Sequence, residues 1–185
     1  MTGSLIWTVF GFAPEKRERI ANATFLSLVW EKRDRGLYEE EVYLKQFQEL
    51  DPQDAEDIEK VIKGSGQTIR KRPYADTWVK YLKSKGYHVY ILSNYSSYML
   101  DHTKKELTFR REMDGEVFSC YANQLKPDAE IYQTILNKYQ LKPEECVFID
   151  DRPENCRGAQ EQGIHTICFK DFKQVTADLE KLGVK

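Results

Sequence analysis

No stretch of this 185-residue chain approaches the ~18 consecutive apolar residues that a membrane-spanning helix needs. The opening Met1-Thr2-Gly3-Ser4, followed by Leu5 to Phe10, lacks the basic region and the longer apolar core of a secretory signal. Charge of one sign is lacking as well. The 28 basic and 30 acidic residues leave a formal charge of −2, too little field to hold nucleic acid or an acidic membrane by bulk electrostatics. Cysteine is scarce: the four residues at 120, 146, 156 and 168 form no CxxC pair and show no metal-ligand spacing. Cys146 and Cys168 lie in apolar runs and are expected to be buried free thiols. These absences describe a cytoplasmic protein with no nucleic-acid and no membrane partner.

What is present is enough chain for one medium α/β domain with a helical insertion. Before Arg72-Pro73 the pattern is helical only. Pro14 fits the first position of a helix running to about Asn22, and Asp51-Pro52 is a cap before another helical start. Between them Val42, Tyr43, Phe47 and Leu50 recur at helical spacing within a helix expected over 38–50. The mixed-sign runs 15–19 and 31–35 suit solvated helix faces. After Pro73 short apolar strands alternate with helices. Strands are expected over 87–93, 117–121, 146–150 and 165–169, and helices over 75–86, 97–107, 128–139, 153–162 and 171–182. In the helix over 128–139, Ile131, Ile135 and Leu136 should face inward. That alternation predicts a parallel sheet buried on both faces, with ligands bound at the carboxyl ends of its strands.

Three polar clusters fall at those strand ends. Ser93-Asn94 directly follows YHVYIL, where a hydroxyl and a backbone amide can donate to a phosphate oxygen, although the same pair also makes an ordinary turn. Lys126-Pro127 precedes a helix start at Asp128; an ammonium fixed there would neutralise a phosphoryl group, while a lone lysine at a helix start is also a common solvated residue. Asp150-Asp151 ends an apolar strand, where twin carboxylates repel unless a cation separates them. Mg²⁺ suits such hard oxygen donors. A helix cap ahead of Pro153 is the equal alternative.

The ordered series ILSN, LKPDAEIY and VFIDDRPENCRGAQEQGI, with 33 residues from Ser93 to Lys126 and 24 from Lys126 to Asp150, resembles motifs two, three and four of the haloacid dehalogenase (HAD) superfamily. The likeness covers about Arg72 to Phe169. It is greatest for sugar-phosphate phosphatases and the amino-terminal phosphatase domain of soluble epoxide hydrolases. The resemblance implies a HAD-like Rossmannoid parallel sheet flanked by helices (73–185) and a small all-helical cap (12–72), for which LVWEKRDRGLYEEE is typical. It also implies roles. Ser93 with the Asn94 backbone would bind phosphate, Lys126 would be the motif-three lysine, Asp151 the principal Mg²⁺ ligand and Asp150 the second acid. Asn155 stands where many relatives carry a further acid. Asn22, Trp30 and Arg35 are candidate cap residues for a small phosphorylated metabolite.

Motif one is absent. Relatives carry a nucleophilic Asp at the end of a first, central strand, and this chain has no Asp before Asp34, which lies inside the cap pattern. Residues 1–11 are a remnant of that strand region or a replacement for it, and Leu5 to Phe10 fits a cap helix equally well. The resemblance therefore implies a Mg²⁺-dependent phosphatase that is inactive as given, with weakened metal binding, since loss of a covalent nucleophile costs roughly a million-fold in turnover. The alternative is a non-catalytic phosphate- and metal-binding module. A dehalogenase, which uses no Mg²⁺, suits the Asp150-Asp151 pair less well. The vacant strand position would be filled by Leu5 to Phe10, or by a partner chain, for instance through strand exchange in a homodimer.

Overall fold

A computed structural model describes residues 10–184. Helices α1 (Pro14–Ala23), α2 (Leu28–Arg35), α3 (Glu40–Leu50) and α4 (Ala55–Gly64) follow one another with no strand among them. Pro14 takes the first position of α1, where its missing N–H leaves no bond unmade. Ile58, Val61 and Ile62 share one face of α4 and meet Ile20, Tyr43 and Phe47 in a single closed cluster, with Phe10 and Phe12 packed against it. The inward stripe of α3 is narrower than its spacing suggests: Tyr43 and Phe47 are buried, while Val42 and Leu50 are exposed. Placement of residues 1–9 lies outside the described residues. Phe10, the end of the expected replacement segment, packs with the cap cluster.

The remainder alternates as expected: α5 (Ala75–Ser84), β1 (Tyr90–Ser93), α6 (Ser97–His102), β2 (Gly115–Phe118), α7 (Ser119–Ala122), α8 (Ala129–Tyr139), β3 (Val147–Asp150), α9 (Pro153–Glu161), β4 (His165–Cys168) and α10 (Phe172–Lys181). Two expectations need correction. The helix expected over 97–107 stops at His102, where the Thr103 backbone leaves helical geometry (φ −115°, ψ 11°) and its hydroxyl caps the Met99 carbonyl. The strand expected over 117–121 runs instead from Gly115 to Phe118, and Ser119 opens a short helix. The strand expected from residue 87 begins at Tyr90, since the Tyr87 amide closes α5 on Leu82 O and the Val89 amide bonds Asp114 Oδ2.

β1 pairs with β2 and β3 with β4, each pair parallel. The pairs are separate sheets, and no strand joins them among the described residues. Side chains nevertheless tie them together. Tyr90 and Leu92 of β1 and Phe148 of β3 pack on one cluster built from α8 and α9. On another side Val147 and Ile149 of β3 meet Trp78 of α5 and Phe172 of α10. Among the described residues each of β1 and β3 pairs along one edge only, and every residue of both strands is half-buried. The cysteine expectation shifts for a related reason. All four thiols are free, but the buried ones are Cys120 and Cys156, whereas Cys146 and Cys168 sit at strand ends and are half-buried. No helix among the described residues is long and apolar enough to cross a membrane.

Candidate functional site

Asn94, Lys126 and Asp150, three of the five site residues expected from the sequence, are bonded to one another at one rim, around Lys126. Its side chain is only 8% exposed, and its ammonium donates to Leu92 O at 2.9 Å and to Asp150 Oδ2 at 2.6 Å. One cation thus bridges the carboxyl ends of β1 and β3. Asn94 fixes the lysine backbone from both sides: its Nδ2 donates to Lys126 O and its Oδ1 accepts from Lys126 N, each at 2.9 Å. Asp150 Oδ1 accepts from Arg152 N and from Asn155 Nδ2, also at 2.9 Å. Both oxygens of Asp150 are therefore engaged. A buried cation and a buried anion that satisfy each other in this way hold position; either alone would be costly. Ser93, the register partner of Phe118, ends β1 beside Asn94, and its hydroxyl bonds nothing among the described residues. Asp151 is exposed and likewise free of any bonded partner among them.

The turns that carry these groups are locked from below. The hydroxyl of the fully buried Tyr132, on α8, donates to Asn155 O at 2.7 Å. Burial, reinforced by the Asp150 charge, pushes that phenol well above its ordinary range and keeps it a donor. Gly158 lets α9 lie against the Lys126-Pro127 turn, because a Cβ there would stand 2.5 Å from Pro127 O.

The cap reaches the same rim through the end of α2, a contact that sequence reasoning found only in part. Arg35, expected as a cap residue, pairs with Asp128 at 3.0 Å, and Asn123 Nδ2 donates to Arg35 O and Gly36 O. Gly36 has φ +72°, and a Cβ on it would meet Cys120 O at 2.3 Å, so only glycine permits this approach. Trp30 packs inside the cap against Phe25 and Phe47. Asn22 is exposed on α1 and makes no polar contact with the rim.

Two residues that the sequence reading passed over complete the seam. Ser119 Oγ accepts from Tyr95 N at 2.8 Å and donates to Asp34 O at 2.5 Å, which links the motif-two turn to the cap. Arg33 is wholly buried between the rings of Trp30 and Tyr98, 5.0 and 5.2 Å away, and forks onto Glu40. Burial raises the Asp34 carboxyl to about 7, against the opposing pull of Arg33, the Trp30 side chain and Arg152. The i,i+4 spacing of Trp30 and Asp34 ahead of Gly36 was the available sequence signal.

The donor set fits a hard cation. Asp151 offers a free carboxylate, and the buried Asn155 Oδ1 beside Asp150 has no donor. Mg²⁺ accepts oxygen ligands of this kind and keeps several waters. Among the described residues no three His, Cys, Asp or Glu side chains cluster as a complete metal cage.

Comparison with known proteins agrees with this architecture. The chain is 26% identical over 160 residues to flavin mononucleotide hydrolase 1 of Arabidopsis thaliana, covering 85% of this chain and 63% of that one. It is 24% identical over 157 residues to a sesquiterpene phosphatase of Aspergillus oryzae, covering 84% of this chain and 80% of the relative. It matches 19% of the length of bifunctional epoxide hydrolase 2 of Rattus norvegicus, at 30% identity over 107 residues. The chain thus spans less than two thirds of several curated relatives. Among solved structures, a HAD family enzyme of Bacteroides thetaiotaomicron in complex with magnesium and inorganic phosphate superposes with a TM-score of 0.70 at 21% identity, over 92% of this chain and 88% of that one. That likeness shows the fold. Residues 13–163 match the family model for haloacid dehalogenase-like hydrolases, and the chain belongs to that family.

Proposed function

We propose that this chain carries the phosphate-binding part of a magnesium-dependent phosphatase for small phosphorylated metabolites, and that it does not turn substrate over as given. The observation that carries the reading is the Lys126 ammonium held at 2.9 Å from Leu92 O and 2.6 Å from Asp150 Oδ2. It lies beside the free Ser93 hydroxyl at the end of β1. A phosphoryl group seated there receives a hydroxyl donor and a desolvated positive charge, both of which stabilise negative charge on its oxygens. Asp151, with Asn155 Oδ1, would hold Mg²⁺, and the ion would add charge neutralisation on the phosphoryl oxygens. Asp150 orients Lys126. The chemistry lacks an attacking carboxylate, for no Asp precedes Asp34, and Asp34 belongs to the cap.

A second reading, a binding module without chemistry, draws on the separation of the two strand pairs. Calorimetry with inorganic phosphate and Mg²⁺, paired with a para-nitrophenyl phosphate assay, tests both. Binding without turnover is the expected result. An apolar strand ending in Asp is then fused ahead of residue 1. Hydrolysis by the fusion supports the phosphatase reading, and binding that persists without hydrolysis supports the module. Absence of phosphate binding by the chain and by the fusion overturns both.

A further inference from the structure

Beneath the Asp150 turn two of the four free thiols come together. Asp150 and Cys168 are register partners at the ends of the parallel strands β3 and β4, whose backbones run ~4.8 Å apart. Side chains alternate along a strand, and partners in a parallel pair share a face. Val147, Ile149 and Ile167 turn toward α10, where they pack with Val175 and Leu179. Phe148 turns the other way, onto the cluster that holds Ala159 of α9. Cys168, one step beyond Ile167, therefore points to the α9 side of the sheet.

Cys156 is buried on α9 and comes down onto the same spot. Its Sγ lies 3.5 Å from Asp150 O, the carbonyl that also accepts the Phe169 amide at 2.9 Å. That carbonyl locates the Cys156 sulfur over the boundary between β3 and β4, next to the residue preceding Phe169. Cys168 is the thiol that Cys156 meets there. Cys168 is half-buried, and a cavity of about 370 Å³ beside β4 is lined by Thr166, Cys168, Lys170, Gln174 and Asp178. A small solute reaches the pair from that side. The other two thiols have different surroundings: Cys120 packs with Leu100 and Phe118, and Cys146 donates to Lys142 O at 3.2 Å.

We infer that Cys156 and Cys168 form a peroxide-responsive dithiol that closes to an intrachain disulfide between α9 and β4. The phosphate chemistry uses neither sulfur, so the dithiol and the phosphate site stand or fall separately. Hydrogen peroxide is the oxidant. The Cys168 sulfur attacks one peroxide oxygen; the O–O bond breaks, water leaves with the thiol proton, and Cys168 becomes a sulfenic acid. The Cys156 sulfur then attacks the Cys168 sulfur, and an S–S bond replaces the S–O bond. The departing hydroxyl takes the Cys156 proton as the second water. Two thiols lose two electrons and two protons, and one peroxide becomes two waters. The new bond removes the S–H donor that Asp150 O receives from Cys156.

Mass spectrometry of the full chain, treated with hydrogen peroxide and then alkylated at its remaining thiols, provides the test. The oxidised monomer should lose two hydrogens, two of its four thiols should escape alkylation, and dithiothreitol should restore both. A glutamate-specific protease cuts at Glu154 and Glu161 and so separates Cys146, Cys156 and Cys168; the linked peptides should be those of Cys156 and Cys168. Cys156→Ser should leave a Cys168 sulfenic acid that dimedone traps, and Cys168→Ser should abolish thiol loss at Cys156. Circular dichroism of both variants and of the oxidised chain establishes that folded protein is being read, and if a variant unfolds the peptide map of the original chain decides alone. The dithiol is overturned by a folded original chain whose four thiols all remain alkylated, or whose Cys168 is oxidised without a link. A link between two chains, or one that involves Cys120 or Cys146, overturns it equally.

Discussion

In the cap Ile20, Phe47, Ile58 and Val61 are all 0% exposed, whereas all eight residues of β1 and β3 remain half-buried. The difference lies in where backbone bonds close. A helix satisfies its amides and carbonyls within itself, so four short helices can enclose an apolar cluster with no outside help. A strand needs a neighbour on each side. β1 and β3 each have one among the described residues, and across the interval between them the direct polar link is the Lys126 ammonium. The cap is closed by apolar packing, and the rim below it is held by a buried ion pair.

That contrast can be broken first at Lys126. Lys126→Met should abolish phosphate binding and lower stability by about 3–5 kcal/mol, because it strands the Asp150 carboxylate away from water. A urea midpoint close to that of the original chain would show that the rim does not depend on the pair. On the other side, Phe47→Ala should cost roughly 3 kcal/mol through the cavity it leaves in the cap cluster. Circular dichroism should report loss of helix signal, with the emission of Trp78, which packs in the α/β core, retained if the cap melts alone. Hydrogen exchange should sharpen the comparison further. Amides in α3 and α4 should be protected about a hundredfold more than those of β1 and β3 that face the open edges. Equal protection would mean that the edges are covered.

The smallest effect concerns the seam between the two regions. The Asp34 carboxyl is raised from 3.8 to about 7 in the folded chain. The folded state therefore holds the proton more tightly, and the associated stability is fully present below about pH 4 and is lost as pH rises through 7. With screening at a half-buried site, the loss should be about 1–2 kcal/mol. Thermal melts of Asp34→Asn between pH 4 and 8 should show a flatter profile than those of the original chain, and superimposable profiles would contradict the shift.

Much of the rim was legible beforehand because strand ends are marked locally. Apolar runs followed by Ser93-Asn94 and by Asp150-Asp151 place polar groups where a parallel sheet must expose them, and Lys126 before Pro127 is bounded by a helix start. The division of labour between the twin acids was not legible. Asp150 is bonded to Lys126, Arg152 and Asn155 while Asp151 stays free, a distinction that depends on which side of the turn each residue faces. Ser119, expected inside a strand, leaves it to bond Tyr95 and Asp34, partners 24 and 85 residues away. No local pattern encodes such a pairing.

The sequence by itself determined the helical cap, the alternation of strands and helices, and the motif residues, because each follows from periodicity or from chemistry confined to a few neighbouring positions. Only the tertiary structure decided that Lys126 bridges the two strand pairs and that the Asp34 backbone meets Ser119 at the rim. Both depend on groups far apart in the chain meeting where water is excluded, and the cost of leaving a charge unpaired there selects their partners.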